Sequence, residues 1–166
     1  MALGTIIRSF ASPGADTTGL AWDGRSLWVA DRGTDLIYQI DPRTGTVIRS
    51  FATPSSNPNG LAWDGRSLWV ADALSNLIYQ IDPRTGTVIR SFAAPTGEPV
   101  SHSWDGRSLW AAAYLGTLAW QLDPAAGTII RSFTTPGSAG RGIVWDGRGL
   151  WFADNGTQLI YQLSVI

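Results

Sequence analysis

Short apolar runs separated by polar turns fill the chain. Within one unit, residues 19–22, 26–30, 36–40 and 46–51 are rich in Trp, Ile, Val, Tyr, Leu and Phe, each run bounded by Gly, Pro, Asp or Ser. Such side chains suit the pleated, half-buried surface of a sheet, so the runs predict four strands, designated A to D. Asp23-Gly24 between A and B reads as a hairpin turn, because glycine accepts a positive φ without steric cost. Asp41-Pro42-Arg43-Thr44-Gly45 between C and D reads as a second turn, with proline setting φ early and glycine releasing it at the end. No apolar 3.6-residue period is long enough for a helix, and the predicted class is all-β.

The unit repeats. Trp22-Asp23-Gly24-Arg25-Ser26-Leu27-Trp28 returns at 63–69 and 104–110, and at 145–151 with Gly149 in the serine position, each time 41 residues further on. Four antiparallel strands at that period predict a β-propeller blade, since each unit must stack on its neighbours to bury its apolar faces. The expectation is one domain over residues 1–166, with four 41-residue blades in repeats 4–44, 45–85, 86–126 and 127–166. The chain opens on a D strand, Gly4-Thr5-Ile6-Ile7-Arg8-Ser9-Phe10, and its last repeat stops after a C strand at 159–163. The opening strand is therefore expected to complete the last blade and remove two open sheet edges. A series of four blades leaves an apolar face at each end, which predicts either a homodimer closing an eight-bladed ring or a monomer closing on four.

Composition narrows the chemistry. The net charge is −1, so no global field draws in nucleic acid or an anionic membrane surface, and neither partner is expected. There is no cysteine, which excludes disulfides, zinc–thiolate sites and thiol nucleophiles. All 12 basic residues are arginine, which removes lysine Schiff-base chemistry. No apolar run approaches the ~18 residues of a membrane span, and the first residues lack the basic stretch of a signal peptide. The expectation is a soluble chain whose compartment is not assigned.

Residues 27–31, Leu-Trp-Val-Ala-Asp, and 40–48, Ile-Asp-Pro-Arg-Thr-Gly-Thr-Val-Ile, resemble the repeats of YVTN- and NHL-type propellers over essentially the whole chain. The Trp-Asp-Gly-x-x-Leu-Trp-Val-Ala-Asp run is also similar to repeats of propeller glutaminyl cyclases and virginiamycin-type lyases. The resemblance implies a propeller scaffold, and for the lyases a histidine and acidic residues around a divalent metal. This chain has one histidine, His102, and one glutamate, Glu98, and neither matches a family catalytic motif. No catalytic residue, metal ligand or cofactor is assigned on this basis.

Substitutions between copies are uneven. Residues 36–52 recur unchanged at 77–93, which implies recent amplification of one blade or design from a consensus blade. The A–B turn scarcely varies, whereas the B–C and D–A loops, which a meander places at the opposite end, differ in every copy. Loop drift accounts for this; so does a ligand surface carried on a rigid scaffold. The third repeat departs furthest, with His102 where Leu20, Leu61 and Ile143 stand and Ala113 where Asp31, Asp72 and Asp154 stand. The three aspartates read as caps of loop amides rather than a metal ring. The expected function is a non-enzymatic binding or scaffold module, with a lyase- or cyclase-like enzyme as the alternative. A small-molecule or peptide ligand would be met at the B–C/D–A end by Glu98, His102, Tyr114, Arg141 and Asn155, with Arg32 and Asn59 beside them.

Overall fold

Each unit folds back on itself at turns that glycine makes possible. Gly24, Gly65, Gly106 and Gly147 have φ between 93° and 97°, and the C–D glycines Gly45, Gly86 and Gly127 lie between 71° and 77°. The computed structural model describes residues 6–95 and 97–165. The first blade is a meander of β1 (Thr17–Trp22), β2 (Leu27–Asp31), β3 (Leu36–Ile40) and β4 (Val47–Ala52). The second contains β5 (Pro58–Trp63), β6 (Leu68–Asp72), β7 (Leu77–Ile81) and β8 (Val88–Ala93), and the third β9 (Pro99–Trp104), β10 (Leu109–Ala113), β11 (Leu118–Leu122) and β12 (Ile129–Thr134). The fourth has three strands, β13 (Gly140–Trp145), β14 (Leu150–Asp154) and β15 (Leu159–Leu163). The protein is an all-β, four-bladed propeller chain.

The Trp-Asp-Gly motif has a second use beyond its turn. Asp23 Oδ1 accepts the amides of Arg25 and Ser26, at 2.8 and 2.6 Å, while Oδ2 accepts Trp28 Nε1 at 2.8 Å. The same arrangement recurs on Asp64, Asp105 and Asp146, each taking an indole N–H at 2.7 to 2.8 Å. One carboxylate thus shapes the turn and satisfies the polar end of an indole whose body enters the core.

Two faces of each blade meet in the same way three times. Trp28, Ala30 and Ile37 of the first blade pack on Leu61, Leu68, Val70 and Ile81 of the second. Trp69 and Ile78 then pack on Leu109, Ala111 and Leu122, and Trp110 and Ala119 on Ile143, Leu150 and Phe152. The outermost strand contributes a phenylalanine to each step. Phe51, Phe92 and Phe133 lie tilted against Trp28, Trp69 and Trp110 of their own blades, with ring centroids 5.8 to 6.0 Å apart. Phe51 and Phe92 also occupy the space a Cβ would need at Gly86 and Gly127 of the next blade.

Expectation and structure part at the two ends. Inner strand β5 packs between β1 and β9, and β9 between β5 and β13, while β1 and β13 share no comparable packing. The opening strand, residues 4–10, was expected to complete the fourth blade; residues 4 and 5 lie outside the described residues, residues 6–10 form no strand, and the sheet of β13, β14 and β15 gains no fourth strand among the described residues. Residues 6–13 run beside the first blade, with the Phe10 ring against Gly45 and Arg8 Nη1 donating to the Pro42 carbonyl at 3.1 Å. The strand-D arginines all reach the next blade in this way. Arg49 donates to the Arg84 carbonyl at 3.5 Å and Arg90 to that of Ala125 at 3.1 Å, tying outer strand to neighbouring turn.

Candidate functional site

The inner strands β1, β5, β9 and β13 line one concave wall, a cavity of about 460 Å³ that includes Leu20, Gly60, His102, Ser103 and Arg141. These strands lie very close together. Ser101 Oγ accepts the Ile143 amide at 2.9 Å and Ser103 Oγ the Trp145 amide at 2.8 Å, so third-blade serines satisfy amides of the fourth blade. Their side-chain role was invisible in a sequence where most counterparts are glycine or alanine.

At the loop end, variable sequence rides on an invariant frame in three blades. Asp72 accepts the Asn57 amide at 2.9 Å, the Ser75 amide at 2.7 Å and the Ser75 hydroxyl at 2.8 Å. Asp31 holds Asp16 and Thr34, and Asp154 holds Ala139 and Thr157, by the same bonds. Burial works against ionisation of Asp31 and Asp72 and is the largest single influence on each. The donated hydrogen bonds together outweigh it, and both carboxyls ionise below their ordinary range. The expected capping role is thus the one these aspartates fill, and among the described residues no three metal-ligating side chains converge. Asp72→Ala should cost about 2–3 kcal/mol, because it leaves buried donors without an acceptor. Denaturant melts will check this, and a loss under about 0.5 kcal/mol would mean that the loop holds itself.

In the third blade Ala113 stands at that position, and the positive φ values fall on Glu98 and Leu115, at 55° and 54°, where the blades that keep the aspartate have theirs on Asp35, Asn76 and Gln158. The Tyr114 amide still donates to the Glu98 carbonyl at 3.1 Å, and the Arg141 guanidinium lies over the Tyr114 ring at 4.1 Å. Arg141 also borders a smaller cavity of about 230 Å³ with Asn155, Gln158 and Ile160. Four of the seven expected residues, Glu98, Tyr114, Arg141 and Asn155, are thereby placed at the loop end of the third and fourth blades.

The other three lie elsewhere. Arg32 is paired to Asp16 at 2.9 Å on the surface. Asn59 belongs to β5, as Arg141 does to β13, because the inner strands start two residues earlier than the sequence suggests, across a bulge. His102 is buried, with Nδ1 against Gly60, where a Cβ would fall 3.0 Å away. Neither ring nitrogen has a hydrogen-bond partner, and burial pushes the imidazole pKa down to about 3. It occupies a leucine position in the wall between blades.

A concave wall of inner strands with variable loops at one end defines the class: a β-propeller. No protein-family model matches the chain, nor does the sequence of any curated protein. Among solved structures it is similar to the glutaminyl cyclase of Myxococcus xanthus, with TM-score 0.72 and 15% identity over 88% of this chain and 71% of that one. The computationally designed Ika4 protein superposes with TM-score 0.70 and 13% identity, over 99% of this chain and 100% of that one. Virginiamycin B lyase from Staphylococcus aureus gives TM-score 0.64 and 22% identity, with 99% of this chain covering 61% of that one. At these identities the likeness is one of fold.

Proposed function

We propose that the chain is a non-enzymatic propeller serving as a binding and scaffold module, its repeats copied from one blade by design or recent amplification. The observation that carries this reading is the separation of its two candidate acid–base groups. Glu98 is exposed on a loop, while the His102 side chain is buried in the cavity wall with both nitrogens unbonded. General acid–base work needs a group within hydrogen-bond reach of substrate and a pKa near working pH, and His102 meets neither condition. A rigid interior with individual loops at one end instead suits recognition, and the Tyr114–Arg141 stack beside Asn155 offers a planar cation and an aromatic face to a small molecule or peptide.

The alternative is an enzyme akin to the lyases and cyclases that the repeats and the fold resemble. Incubation with virginiamycin B or a glutaminyl peptide, each with and without divalent metal, tests it. No turnover above buffer is expected. Turnover that His102→Leu or Glu98→Gln abolishes would overturn the scaffold reading.

A further inference from the structure

We infer that the partner this scaffold takes is a second copy of itself, each chain donating residues 6–13 as the fourth strand of the other's last blade to close an eight-bladed ring. This names a partner for the scaffold role proposed above, but it rests on the two end faces alone.

Those faces are the halves of an interface the chain already makes three times. On the fourth blade, Trp151 is 37% exposed and Ile160 72% exposed, where their counterparts Trp28 and Ile37 are 2% and 0% exposed in the first interface. On the first blade, Leu20 is 67% exposed where Leu61 is 4% exposed. Each face therefore carries the side chains that the other kind of face buries elsewhere, and among the described residues β1 and β13 share no packing comparable to that of β1 with β5. Continuity with the internal interface identifies the occupant: the surface that fits the first blade is a fourth blade, and the reverse.

The opening segment adds direction. Phe10 sits on Gly45 as Phe51 sits on Gly86, and Arg8 reaches the Pro42 carbonyl as Arg49 reaches that of Arg84. Residues 6–13 thus hold the place of the outer strand of a blade that would precede the first, and among the described residues no inner strand of such a blade packs beside them. Among the described residues the fourth blade has three strands, and β15 pairs with β14 alone. Among the described residues, its Trp151 has no phenylalanine such as Trp28, Trp69 and Trp110 each have, and Phe10 has no tryptophan. Seating the partner's fourth blade on the first blade supplies each group with its counterpart and extends the partner's sheet by strand addition. A twofold axis satisfies both ends at once. The register follows from Tyr38 opposite Ser50 and Tyr79 opposite Ser91: Tyr161 of one chain should lie opposite Ser9 of the other.

Two measurements test the inference. Light scattering on the unaltered chain at low micromolar concentration should return twice 17.8 kDa; a monomer would overturn it, including one that binds a foreign strand instead. The chain has no cysteine, so a Ser9→Cys, Tyr161→Cys double variant can be oxidised without background. A covalent dimer is expected on non-reducing gels. A cross-linked monomer would mean that the chain closes on its own four blades, a ladder of higher multiples would mean open assembly, and no cross-link in a folded protein would remove the register; each overturns the inference. A ligand or an activity found at the loop end would not bear on it.

Discussion

Gly127→Val should cost about 2–6 kcal/mol, against about 1–3 kcal/mol for Gly65→Val. Both glycines hold a positive φ, 71° at Gly127 and 96° at Gly65, that a β-branched residue adopts only with strain. Gly65 sits in an open turn, with nothing within 4 Å of a Cβ. At Gly127 the Cβ would fall within 2.6 Å of Phe92 Cβ and overlap its Cγ, so overpacking adds to strain. Against a total stability of about 5–15 kcal/mol for a domain, the larger value threatens the fold. Tryptophan-fluorescence denaturant melts will rank the two. Adding Phe92→Ala to Gly127→Val should recover part of the loss as a positive coupling energy, since it empties the contested space. Equal losses at Gly65 and Gly127, with no coupling to Phe92, would mean that the outer-strand phenylalanine does not seal the blade interface.

His102→Leu should flatten the acid limb of the stability profile. With its pKa pushed from 6.5 down to about 3, His102 refuses in the folded state a proton that the unfolded chain takes up below pH 6.5. Stability must therefore fall as pH drops through that window, by about 1.4 kcal/mol per pH unit while the site stays neutral. The depressed aspartates act lower. Asp31, Asp72 and Asp154 stabilise above their ordinary value of 3.8, and their contribution is lost as pH falls through their folded pKa values. The range from about pH 6.5 to 4 thus belongs to the single histidine. Leucine, the residue of the first two blades, should remove that slope and raise stability near pH 7 by about 1–3 kcal/mol, because two unpaired buried nitrogens disappear. Parallel profiles for the two proteins in urea melts from pH 7 to 4 would show that the imidazole is hydrated rather than sealed.

The repeats, the strands and the class of fold were legible in the chain itself, since alternating apolar runs, turn glycines and a 41-residue period are local properties. The capping role of Asp31, Asp72 and Asp154 was legible for the same reason, an Asx turn spanning only a few residues. The candidate site was legible in part: confinement of variation to one end pointed to Glu98, Tyr114, Arg141 and Asn155. Their convergence depends on the third blade lying beside the fourth.

What the tertiary structure alone decided concerns relations between blades. The Arg49 bond to the Arg84 carbonyl, the seating of Phe92 on Gly127 and the burial of His102 against Gly60 all join residues about 35 to 42 apart, or meet across an interface. Their existence depends on how closely two twisted sheets stack, a distance set by the packed tryptophans of both and encoded at no single position. The Trp28 bond to Asp23 spans only five residues, yet it too escaped the pattern. A β-strand turns successive side chains to opposite faces, and only the finished hairpin brings that indole over the turn.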